Sequence, residues 1–258
     1  MEGGGLNWRG ALGWFCGGPL GDRPRARELA RDKDYRPVAA VALLCLLAGL
    51  LLFIMLRPRL DGRPSLELLA LSIMPYQVFA LGGCLLALVP LARRDGFRTS
   101  YDFPSRPESF GSMLKASLRF LLLIYPVILL LNAFSIYFCR VMGIPTNGQV
   151  IELLGREGGF WYWLFSSLSS VLLAPIAEEV LVRLVLYRAI RSIAPLWAEI
   201  LSSLAFGLMH GHPQYILSLF FVGMCLQHAR ALGGLPRAIL LHGLYNLLAL
   251  VFLFFHTR

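Results

Sequence analysis

Long, uninterrupted apolar runs constrain this chain more than any other feature. VAAVALLCLLAGLLLFIML, from Val38 to Leu56, holds no charged residue. A helix of roughly 20 predominantly apolar residues is what crosses the hydrocarbon core of a bilayer. Comparable runs recur, and the sequence predicts spans near Pro37 to Leu56, Leu66 to Leu91, Met113 to Phe138, Phe160 to Ile190, Pro195 to His210, Gln214 to His228 and Pro236 to Phe255. The fifth and sixth are short. Irregular backbone cannot face lipid, so these runs are helices, and their length and lack of alternation exclude a β-barrel. Composition agrees: 57% of the 258 residues are hydrophobic and only 15% are charged, with a mean hydropathy of +0.65. The predicted fold class is therefore all-α, a polytopic membrane helix bundle of about seven transmembrane helices enclosing a polar site.

The formal charge of +9 raises nucleic acid as a partner, but its distribution points to the membrane. With the N-terminus cytoplasmic, the tail before the first span and the 2–3, 4–5 and 6–7 connections carry 18 Lys/Arg, against 6 on the opposite side. That is the positive-inside bias of a multi-pass inner-membrane protein with a cytoplasmic N-terminus. Residues 1–36, with DRPRARELARDKDYR, read as a basic cytoplasmic tail that sets topology and meets membrane lipids; residues 37–159 read as N-terminal helices and loops, and 160–258 as the chemical core. The cysteines Cys16, Cys45, Cys84, Cys139 and Cys225 are scattered singly, so no thiolate metal site or disulfide scaffold is expected.

A charged group near the bilayer centre costs on the order of 3 kcal/mol, so intramembrane ionisable residues are functional candidates by default. Here they are Glu178, Glu179, Arg183, His210, His228 and His242, all in the second half of the chain. APIAEEVLVRLVLYRAI places Glu179 and Arg183 at i and i+4, within ion-pair reach on a helix. Glu178 is rotated about 100° away and has no partner on its own helix. Phe206 and His210 in SSLAFGLMH, and His242 and Asn246 in LLHGLYN, share the same spacing. Glu179 lies 15 residues before Ala194 and His210 lies 15 after Pro195, so a hairpin turning there brings them to one depth. His242, six residues after Pro236, fits that depth only if ALGGLP dips into the membrane or the 4–5 hairpin projects into the cytoplasm. A Glu–Arg pair alone is explained by helix locking and a lone His by packing, and His228 is read that way. An unpaired carboxylate with two imidazoles on neighbouring helices is harder to explain so.

No GxSxG elbow is present, and the serines of the fourth span sit in no recognisable Ser–His or Ser–Lys motif. A carboxylate, two imidazoles and an amide suit activation of water, with Glu as base and His and Asn donors for an oxyanion. Glu178, His210 and His242 are equally a possible zinc ligand set. Both routes end in hydrolysis.

These residues resemble a known family. EEVLVR is similar to the EExxxR motif, FGLMH to FxxxH and HGLYN to HxxxN of the CPBP intramembrane proteases, which include the Rce1-type CAAX prenyl proteases and the bacteriocin-processing and immunity relatives with the ABI domain. The resemblance covers about Phe160 to Leu250, and departs from many members at Val182 and Leu184, where Phe and Gly are common. It implies an intramembrane endopeptidase, glutamate-dependent or metallo, cutting a peptide or protein substrate near the cytoplasmic face, with CAAX-type C-terminal processing of a lipidated substrate as one form. Glu178 would activate water with His210, Glu179 and Arg183 would shape the site, and His242 and Asn246 would form the oxyanion hole. The alternative is a non-catalytic membrane immunity or scaffold protein on the same fold. A transporter is disfavoured because the chain shows no matching halves.

Overall fold

The computed structural model describes residues 34–56, 82, 108–146, 164 and 167–256. The expected basic tail and the second expected span, near Leu66 to Leu91, lie outside the described residues. The described residues form five helices and no strand. Helix α1 is Tyr35–Leu56, and α2 is Phe110–Val141. Helix α3, residues 169–191, joins π-helical Ser169–Leu173, α-helical Ala174–Glu179, π-helical Val180–Leu186 and α-helical Tyr187–Arg191. Helix α4 is Ala198–Leu208, and α5 is Ile216–His256.

Fewer than the expected seven elements are described because the span near Leu66 to Leu91 lies outside the described residues and two others meet without a loop. The spans expected at Gln214 to His228 and Pro236 to Phe255 belong to one element, α5, broken by non-helical backbone at Gly233 (φ −142°, ψ 17°) and Gly234 (φ 76°, ψ −176°). Only glycine adopts the second of these conformations without strain, so the sequence GG fixes the joint. Among the described residues, two helical stretches, Phe110–Val141 and Pro213–Phe252, are long and apolar enough to cross a membrane. By contrast α4, with 11 residues, is about 16 Å long and too short to span on its own.

Helix α2 shows how the chain is divided between core and lipid. Its buried residues Ser117, Leu121, Ile124, Ile128, Ser135 and Cys139 fall on one stripe at helical spacing. Leu122, Leu123 and Leu130, on the other side, are 72%, 67% and 71% exposed. An outward apolar face of this kind suits a hydrocarbon surrounding.

Helix α3 is the hub. Val180, Val182 and Val185 meet Val38 and Ala42 of α1, Phe206 of α4, and Val222, Leu226 and Leu241 of α5 in one buried cluster. At its end, Arg36 of α1 donates to the Ser192 hydroxyl (2.8 Å) and carbonyl (3.0 Å), and the Arg188 guanidinium lies 4.8 Å above the Tyr35 ring. Glycines set the closest approaches. A Cβ on Gly243 would stand 2.7 Å from the Val171 carbonyl oxygen, whereas one on Gly111 would meet nothing within 4 Å.

Gly243→Ala is therefore expected to lower stability by about 1–3 kcal/mol through backbone overpacking. Gly111→Ala is expected to be neutral or to gain up to about 1 kcal/mol from helix propensity. Thermal unfolding of both variants in the same detergent checks the pair.

Candidate active site

The site is built where α3, the end of α4 and the second limb of α5 meet, and the local backbone of α3 prepares it. Pro175 has no N–H to offer, and the Ala174 N–H bonds the carbonyl of Ser169 rather than that of Ser170. The π-turn so releases the Ser170 carbonyl, which accepts a hydrogen bond of 2.8 Å from Asn246 Nδ2. Gly243, one turn before Asn246 along α5, lets the two helices close to that distance.

Glu179 and Arg183 are both fully buried and 3.0 Å apart, Nε to Oε2, as their spacing predicts. The other carboxylate oxygen, Glu179 Oε1, accepts from His242 Nδ1 at 3.1 Å. The Arg183 guanidinium lies 5.1 Å from the centre of the Phe206 ring. Its Nη1 and Nη2 make no hydrogen bond, so the ring face supplies the remaining attraction. Phe206 meets His210 and His242 edge to face, with centroids 4.9 and 5.5 Å away. One aromatic ring thus wedges both imidazoles in place.

His210 follows the end of α4, where Gly211 (φ 69°) turns the chain. Its Nδ1–H donates to the Phe206 carbonyl at 2.7 Å, taking a position the helix end leaves open. A carbonyl oxygen only accepts, so Nδ1 carries the proton, and in the uncharged form of the ring Nε2 presents a lone pair. The same argument holds for His242, whose Nδ1 faces the Glu179 carboxylate. Both lone pairs address Glu178. Its Oε2 stands 3.8 Å from His210 Nε2 and 3.9 Å from His242 Nε2, is buried, and makes no hydrogen bond. Such distances are too long for direct hydrogen bonds.

Three acceptors facing one point require a donor or a cation between them. A water molecule supplies two protons; an imidazolium supplies one. The set also has the chemistry of a zinc site: one carboxylate and two imidazoles, each with its other nitrogen fixed by a carbonyl or a carboxylate. It is wider than such a site, whose ligand atoms lie roughly 3.4 Å apart. Among the described residues no three His, Cys, Asp or Glu side chains are drawn close enough to hold a metal ion as they stand.

Of the candidates from the sequence, Glu178, Glu179, Arg183, His210 and His242 meet in this cluster, and Asn246, one turn after His242, bonds the Ser170 carbonyl. The conflict over the depth of His242 disappears in the geometry. The break at Gly233 and Gly234 lies inside α5, and His242 comes down beside Glu179. His228 is not in the cluster. Sequence reasoning missed the Ser170 carbonyl as the partner of Asn246; the proline one residue after Ala174 was the available signal. His212 sits apart, edge-on to Tyr215 with centroids 6.1 Å apart.

No curated protein and no solved structure matches the chain. Residues 160–248 match the family model described as type II CAAX prenyl endopeptidase Rce1-like, and the chain carries an Rce1-like domain that includes α3, α4 and the part of α5 holding His242 and Asn246.

Proposed function

We propose that the protein is an intramembrane endopeptidase that hydrolyses a peptide bond near the cytoplasmic face of the membrane. The observation that carries this is the convergence of Glu178 Oε2 with the Nε2 atoms of His210 and His242, each imidazole held by its other nitrogen. The matched family is one of proteases acting on peptide or protein substrates. A peptide ending in a prenylated CAAX motif is the substrate class its description points to.

In this reading a water molecule donates to Glu178 Oε2 and to His210 Nε2. As its oxygen attacks the scissile carbonyl carbon, its proton passes to Glu178. The carbonyl oxygen becomes an oxyanion, accepting from the second amide N–H of Asn246 and from Nε2–H of His242 as an imidazolium. Collapse of the tetrahedral intermediate breaks the C–N bond, and Glu178 returns its proton to the leaving amine. Glu178, His210 and His242 would be the residues that hold a zinc ion, which when bound would act as a Lewis acid and lower the pKa of its water.

The two carboxylates have different assignments and predict different losses. Glu178→Gln is expected to leave unfolding unchanged and to lower cleavage of a farnesylated CAAX peptide by about a hundredfold or more. The assay uses the purified full chain in liposomes; undiminished activity would overturn the assignment. A scaffold protein would bind the peptide and show no turnover at any concentration, wild type included.

Arg183→Met is expected to act on the fold instead. It leaves Glu179 buried without its cation, a loss of about 3–5 kcal/mol. Thermal unfolding in detergent reads the difference between the two variants.

A further inference from the structure

A cavity of about 270 Å³ opens between α2 and α5 away from the cluster, and none of Glu178, Glu179, Arg183, His210, His242 or Asn246 lines it. Its walls combine Phe120, Leu123 and Leu232 with three basic side chains, Arg119, Arg237 and His228. Leu123 is 67% exposed and Leu232 60%, so the mouth lies on the face that meets hydrocarbon rather than on an aqueous cleft. Arg237 is placed here by the joint in α5: a Cβ on Gly233 would stand 2.5 Å from its Cδ, so its stem lies across that glycine. Its guanidinium is 3.6 Å from Glu108 Oε2, a loose ion pair, while Glu108 Oε1 accepts from the Ser112 hydroxyl at 2.6 Å. Lys115, one turn before Arg119, adds a cation on the same side of α2.

We infer that this cavity is a binding site for one anionic phospholipid, its phosphate held by Arg119 and Arg237 and the start of its acyl chain lying on Phe120, Leu123 and Leu232. Guanidinium groups bind phosphate in paired hydrogen bonds, and basic pockets at helix ends suit lipid headgroups. The volume is just below the range of about 300–1,000 Å³ that takes a whole small molecule. That suits a headgroup and the first methylenes, the rest of the chain running out into the bilayer. The basic connections of the chain put this end of α2 and the joint of α5 at the cytoplasmic leaflet. A peptide carboxylate is a poorer occupant, because two of the apolar walls are open to lipid. The inference does not depend on the hydrolytic reading.

Native mass spectrometry of the full chain in detergent, titrated with phosphatidylglycerol or with phosphatidylcholine of the same acyl composition, tests it. One phosphatidylglycerol is expected to bind at least about fivefold more strongly than phosphatidylcholine, a preference that Arg119→Gln removes. Arg119 is exposed, so that variant folds. Glu108→Gln frees Arg237 and is expected to strengthen phosphatidylglycerol binding, and inorganic phosphate at the same concentration is expected not to displace it. Equal binding of the two lipids overturns the site, as does wild-type phosphatidylglycerol binding by Arg119→Gln or weaker binding by Glu108→Gln. Displacement by inorganic phosphate would make it a free-anion site and overturn the lipid assignment.

Discussion

The rest of the site depends on one buried ion pair. Glu179 and Arg183 are wholly removed from water and 3.0 Å apart, and a pair in that position is worth little as net stability because desolvation offsets the attraction. Its value lies in what it orients. Glu179 spends its second oxygen on His242, and Arg183 lays its guanidinium on Phe206. Phe206 in turn wedges His210 and His242. Remove the pair and Phe206, His210 and His242 lose their common support. Glu178, next in sequence to Glu179, keeps its Oε2 free of hydrogen bonds while its neighbour takes the structural contacts.

The different surroundings of the two adjacent carboxylates were legible in the sequence. A helix puts Glu179 and Arg183 on one face and turns Glu178 away, and the hairpin count placed His210 at the same depth. Asn246 was legible as a candidate but not in its contact. Its partner is a backbone carbonyl, released because the Ala174 N–H bonds Ser169 instead of Ser170. A register shift of one residue leaves no periodic trace in an apolar run, where every side chain is suited to either face. The joint in α5 was legible in position: ALGGLP lies between the sixth and seventh expected spans, and the helix breaks there at Gly233 and Gly234. The direction of the second limb was not. Pattern reads which residues avoid water; it does not read backbone direction.

The cavity between α2 and α5 marks the limit of reading side chains one at a time. His228 alone is a packing residue by its spacing, and Arg237 alone a topology signal. Only the joint at Gly233, which lets the Arg237 stem lie across the backbone, brings them together with Arg119. The same glycine pair therefore serves two places, setting His242 toward α3 and Arg237 toward α2.

The central claim is that water, positioned by Glu178 and His210, attacks the substrate directly. Cleavage of a single peptide bond in water enriched in ¹⁸O, with hydroxylamine present as a competing nucleophile, measures this most directly. The account predicts one ¹⁸O in the new carboxylate and no hydroxamate. A hydroxamate product would show an acyl intermediate on the protein and contradict it, and so would the absence of any turnover.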